Sequence, residues 1–184
     1  MDYSQKHMKK DLLTHFSFFI TYFLLVSLLR RWFSPEYIVL WLGGVIGTFL
    51  PDVDHLVYAY ILKPKEADSM KASTLISQQE YTKSWNLLIQ TQGNKSDLLF
   101  HSAFFQTLFA ILAFLIVTTS GSLLAKGLVL AFLLHLLIDQ VTDLAEKKNM
   151  DRWFEGFPIS LDGIQKRWFL VGNIVIVLVF GFLF

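Results

Sequence analysis

Apolar and polar positions alternate along this chain in blocks far longer than a strand or an ordinary core helix. The first apolar block runs from about Leu12 to Phe33, "LLTHFSFFITYFLLVSLLRRWF", and the second from about Glu36 to Leu62. A polar stretch, 63–97, separates them from a third block at about 98–119 and a fourth at about 122–141. A second polar stretch, 142–167, leads to the last block, 168–184. Crossing a bilayer as a helix takes about 20 apolar residues. The pattern therefore predicts an all-α, single-domain integral-membrane bundle of about five transmembrane helices, the last being the shortest. No small-residue cleavage pattern follows the first block, which ends "SLLRRWFSP", so it is expected to be retained.

The two polar stretches differ. Residues 63–97 are rich in Ser, Thr and Gln, and a loop of this length is expected to be a lid, a binding loop or disordered, with "YTKSWNLLIQ" expected as a short interfacial helix. The segment "DRWFEGFPISLDG" is aromatic, with Gly and Pro turns, and is expected to pack against the membrane face.

Composition agrees with a membrane setting. Of the 184 residues 54% are hydrophobic, 18 are Phe, and the mean hydropathy is +0.49, above the range of soluble domains. The net charge of +1, with Lys and Arg interleaved among Asp and Glu, excludes a nucleic-acid surface. No cysteine is present, so disulfides and thiolate metal sites are excluded. Positive charge sets the orientation. With the N-terminus cytoplasmic, the inner segments hold Lys6, Lys9, Lys10, Lys63, Lys65, Lys71, Lys83, Lys95, Lys147, Lys148, Arg152, Lys166 and Arg167; the outer ones hold Arg30, Arg31 and Lys126. A plasma membrane or bacterial inner membrane is the expected location, with Trp32, Trp41 and Trp168 near the boundaries.

On that map the ionisable residues of the spans gather at one leaflet. His15 lies a turn inside the first helix, and Asp52, Asp54 and His55 lie in the inner half of the second. His101 is expected one turn inside the third, and His135 and Asp139 near the inner end of the fourth. Helices of alternating direction deliver polar groups to the same side, where each buried carboxylate costs roughly 2.5–3.5 kcal/mol on insertion scales. A cation offsets that cost.

Spacing sharpens the picture. His135 and Asp139, four apart, share a helix face. Asp52 and His55 are three apart, whereas Asp54 is turned away from Asp52. The glycines and proline of "LGGVIGTFLP" are expected to supply the irregular backbone that lets both aspartates reach one pocket. Histidine and carboxylate without thiolate form a donor set for zinc, with manganese or iron also suited. His15, Asp52, His55, His101, His135 and Asp139 are the expected ligands, for one or two divalent ions; Asp54 is the expected general base or orienter of a ligand imidazole. Asp11, Asp143 and Glu146 read as solvated helix-end charges, and His7 as an inert tail residue.

"LPDVDH" after a glycine-rich helix, "HLLIDQVT", the early His15 and the pair His101-Ser102 together resemble the small inner-membrane proteins described as membrane-bound, metal-dependent hydrolases, one of them LexA-regulated. The resemblance spans His15 to about Thr142. It implies a helical membrane fold and metal-dependent hydrolysis of a phosphoester-type bond. Separately, the expected depth of the site at headgroup level points to membrane lipid or a lipid-linked phosphoester as partner. Many relatives carry a His-Arg pair before the His-Ser pair, where this chain has Lys95, Ser96 and Asp97. Two other functions use the same residues: a cation or proton transporter, and an inactive membrane organiser with a structural metal. The outer halves, such as "FAILAFLIV", offer a transport path little polarity.

Overall fold

The computed structural model describes residues 3–91 and 98–183, all of them helix, turn or link with no strand. Helix α1 spans Tyr3–Arg30 and stops where Arg31 turns left-handed at φ 57°. A 3-10 turn at Pro35–Tyr37 leads into α2, Ile38–Phe49, followed by the short α3, Val53–Val57, and a π-helical turn, Tyr58–Leu62. Then come α4, Ala67–Ser77; α5, Tyr81–Gln90; α6, Ala103–Thr119; α7, Leu123–Lys147; a 3-10 turn, Asp151–Phe154; and α8, Gly163–Phe182.

Four stretches are long and apolar enough to cross a membrane: Lys9–Arg30, Pro35–Leu62, Leu123–Lys147 and Gly163–Phe182. Helix α6 is apolar but has only 17 residues. Large apolar side chains stand exposed along α1 (Leu24, Leu28), α6 (Leu108, Ile111, Leu115) and α8 (Val175, Leu178), a surface suited to lipid rather than water.

Several boundaries differ from expectation for local reasons. Ser102 caps α6, its hydroxyl accepting from Phe105 N at 3.2 Å, so the helix starts at Ala103 and not at 98. Helix α7 runs past 141 to Lys147 before Lys148 turns left-handed. The last helix begins five residues before Trp168, because Asp162 and Gln165 form a reciprocal capping box, and reaches 20 residues. The polar 63–91 region is a packed helical hairpin: Ala72 and Leu88 bury against Ala59, and Ser84 Oγ donates to Ala72 O at 3.0 Å.

Helix α7 is the central post, packed on α1, α2, α6 and α8 and buried nearly all round from Val129 to Ile138. Its contact with α2 is backbone on backbone. A Cβ on Gly43 would meet Leu124 O at 2.1 Å, one on Gly47 would meet Leu128 O at 2.2 Å, and one on Gly127 would meet Leu40 O at 2.0 Å. These glycines therefore lie in regular helix and serve close approach, as small residues do in membrane bundles. They do not supply the irregularity expected of them.

The irregularity comes just after, at Pro51. There the bonds shorten to i+3: Asp52 N to Phe49 O, Val53 N to Leu50 O, Asp54 N to Pro51 O and His55 N to Asp52 O, at 3.1–3.2 Å. In a 3-10 turn residues three apart eclipse one another. Asp52 and His55 are thereby set on one face and Asp54 on another.

Beyond α7 the aromatic segment folds back onto the bundle. Trp153 is buried, and its indole N–H donates to Asp143 Oδ2 at 2.9 Å. Arg152 also binds Asp143 Oδ2, at 2.7 Å, and Lys147 binds Oδ1, at 2.7 Å. Asp143 is thus the anchor of this segment rather than a solvated charge.

Candidate metal centre

Four elements meet at the C-terminal half of α7. Helix α1 brings His15, the Pro51 turn brings Asp52, Asp54 and His55, the link before α6 brings His101, and α7 brings His135 and Asp139. His101 sits on that link, just ahead of the Ser102 cap, and not inside the helix as expected. His15, His55, His101, His135 and Asp54 are buried. Asp52 and Asp139 keep 24% and 17% of their side chains exposed, so the cluster opens on its carboxylate edge.

Asp139 is the hub. Its Oδ1 lies 3.1 Å from His15 Nε2, and its Oδ2 lies 3.0 Å from His101 Nε2 and 3.3 Å from His135 Nε2. Asp52 Oδ1 stands 3.5 Å from His135 Nε2. The rings of His15 and His135 stack with centroids 4.1 Å apart, and those of His55 and His101 at 5.4 Å. Two sets of donors lie within 4.8 Å of one another: His15, His135 and Asp139 in one, Asp52, His55 and His101 in the other.

The far side of each hub imidazole is already tied. His15 Nδ1 donates to Asp11 O at 3.0 Å, and His135 Nδ1 donates to Thr48 O at 2.7 Å. His101 Nδ1 meets Asp54 Oδ2 at 3.3 Å. A backbone carbonyl only accepts, so Nδ1 carries the proton in His15 and His135, and a neutral ring then turns the Nε2 lone pair toward Asp139. This is how metal-binding imidazoles are oriented.

A cation would give these nitrogen and carboxylate donors a common partner. Neutral rings would aim lone pairs at carboxylate oxygens. Doubly protonated rings would bury several positive charges beside Asp52, Asp54 and Asp139. His15 Nε2 and His135 Nε2 are buried and make no hydrogen bond. Two ligands held at about 2.0–2.2 Å by one tetrahedral ion lie roughly 3.4 Å apart, and the nitrogen–oxygen separations here are 3.0–3.5 Å. These buried groups can hold a metal ion.

Asp54 stands apart from the hub. Fully buried, it accepts from the backbone N–H of Leu99 (3.0 Å), Phe100 (2.6 Å) and His101 (3.3 Å) as well as meeting the His101 ring. Its oxygens are consumed by the 99–101 link, which it clamps in place. Of its two expected roles, orienting a ligand imidazole matches these contacts; a base needs a free oxygen facing the open edge. Lys95, Ser96 and Asp97 lie outside the described residues, as does the side chain of His7.

Sequence reasoning passed over the groups that hold the centre from behind. Thr48 O and Asp11 O are backbone acceptors with no signature in side-chain type. Trp153, 5.8 Å from the His101 ring between centroids, covers one flank. It also missed Gln106, Gln140 and Asn173, a buried amide cluster whose signal was three amides in apolar runs. No family model, curated protein or solved structure matches this chain.

Proposed function

We propose that this chain is an integral-membrane, metal-dependent hydrolase of phosphoesters, with zinc as the first choice of ion and manganese or iron as alternatives. The observation that carries the reading is the convergence of three imidazole Nε2 atoms on Asp139 with their Nδ1 atoms tied behind. An N- and O-donor set without thiolate suits those ions. When bound, a divalent ion supplies Lewis acidity and lowers the pKa of a coordinated water toward about 7.

The chain's own residues hold the geometry. Asp11 O and Thr48 O fix two rings, and Asp54 fixes the third together with the backbone that carries it. Asp52 and Asp139 border the exposed edge, where a scissile group meets the centre. His15 lies near the start of Lys9–Arg30 and Asp139 near the end of Leu123–Lys147, a placement toward one face of the bilayer that favours an amphipathic or lipid-linked phosphoester. The lysine distribution supports an inner-leaflet centre and a cytoplasmic N-terminus. The motif resemblance to membrane-bound metal-dependent hydrolases points the same way.

The test is turnover of bis-p-nitrophenyl phosphate, p-nitrophenyl phosphate and phosphatidate in mixed micelles by metal-loaded protein in detergent. Turnover of at least one, lost on chelation and in Asp139→Asn, is expected. No turnover of any by loaded protein, or equal turnover by Asp139→Asn, would overturn the hydrolase reading. Orientation is open to single-cysteine labelling, since the chain has no cysteine of its own.

A further inference from the structure

We infer that the centre holds two ions and not one, and that Asp139 bridges them; this rests on the metal-centre reading above. Six donor residues make up the cluster, two more than a tetrahedral ion accepts. They divide without overlap into His15, His135 and Asp139 on one side and Asp52, His55 and His101 on the other. Asp139 joins the halves, since its Oδ1 faces His15 of the first set while its Oδ2 lies between His101 of the second and His135 of the first. Asp52 makes the reciprocal crossing to His135. Facing sets linked by a carboxylate are the layout of two-metal sites, whose ions lie about 3.5–4 Å apart.

Charge favours the same count. Asp52, Asp54 and Asp139 place three carboxylates at one buried point. The lysines and arginines of the described ion pairs are engaged elsewhere, with Glu146, Glu80, Asp143 and Asp151. One divalent ion leaves the centre net negative and repels a phosphoester anion. Two leave it net positive, and attract one. The two-ion centre therefore selects an anionic substrate, where a single ion would suit a neutral ester or amide.

The halves are not equivalent. With Asp139 bridging, the Asp52–His55–His101 side has four protein donors, the closed complement of a structural site. The His15–His135 side has three, and keeps a position open for water or substrate. It is the weaker and more exchangeable of the two.

The experiment is elemental analysis and zinc titration of full-length protein purified without chelator, on the monodisperse fraction. Wild type is expected to hold about two ions per chain, in two steps of unequal affinity. His15→Ala is expected to retain only the tighter step and His55→Ala to lose it, each holding about one ion. A wild-type content of one ion overturns the two-ion inference and leaves the single-metal reading standing. A content of zero, with no uptake from added zinc, overturns both. Two ions retained in both variants place the second ion elsewhere and also overturn the inference. Should either variant fail to fold, the wild-type stoichiometry and step count decide alone.

Discussion

Helix α7 carries two buried polar clusters on neighbouring residues. Asp139 looks into the histidine cluster, while Gln140, about 100° around the helix, looks into a cluster with Gln106 of α6 and Asn173 of α8. The amides close on themselves: Gln140 Nε2 donates to Gln106 Oε1 at 2.5 Å, and Asn173 Nδ2 donates to Gln106 Oε1 at 3.1 Å and Gln140 Oε1 at 3.3 Å. Each member is neutral and offers both donor and acceptor, so burial needs nothing further. The histidine cluster does not close, for its Nε2 atoms and carboxylates have no neutral pairing that satisfies them all. Burial and polarity are shared by the two. What separates helix glue from a ligand site is whether the polar groups complete one another.

The largest effect that could break this contrast is at the hub. Asp139→Asn removes the charge and one oxygen donor, and metal content is expected to fall more than tenfold, measured on purified protein. Content near wild type would show that the ions bind elsewhere.

Next comes the α2–α7 contact that sets Asp52 against His135. Gly47→Leu forces a side chain into Leu128 O, where even a Cβ stands at 2.2 Å. A loss of about 3 kcal/mol, at the top of the range for overpacking, is expected in denaturant unfolding, together with reduced metal content. Unchanged stability would contradict the backbone contact.

The pH dependence sharpens the comparison further. Ligand imidazoles must be proton-free, so protons compete with the ion. Metal affinity is expected to fall at least tenfold per unit as the pH drops from 7 to 5, read by titration with zinc. The sign is fixed: acid releases metal, and raising the pH restores it. Flat affinity from pH 7 to 5 would exclude histidine ligation.

The smallest effect belongs to the amides. Gln106→Leu is expected to lower stability by about 1 kcal/mol, in the range of hydrogen bonds between membrane helices, and to leave metal content unchanged. Loss of metal in this variant would merge the two clusters into one functional unit.

Much of this was legible in the sequence because it depends on short spacings. The i, i+4 pair His135–Asp139 and the arrival of four histidines at one end of the spans follow from helix periodicity and block length. Asp162 and Gln165 announce the start of α8 in the same local way, though span length drew the boundary at Trp168. What stayed hidden depends on long-range packing. Asp54 finds its partners in Leu99, Phe100 and His101, 45 to 47 residues away. No periodicity marks a carboxylate that clamps a distant link. The glycines of α2 read equally well as breaks or as contact points until Leu124 and Leu128 are known to face them. The alignment of Asp52 with His55 needs the tightened turn at Pro51, a feature of backbone bonding that residue types only permit.

The most direct test of the metal centre is X-ray absorption at the metal edge on chelator-free protein, comparing wild type with His135→Ala. The account predicts a first shell of nitrogen and oxygen at about 2.0–2.1 Å, free of sulfur, with imidazole scattering that weakens in the variant. An ion without imidazole scattering, or a spectrum identical in the two proteins, would contradict it.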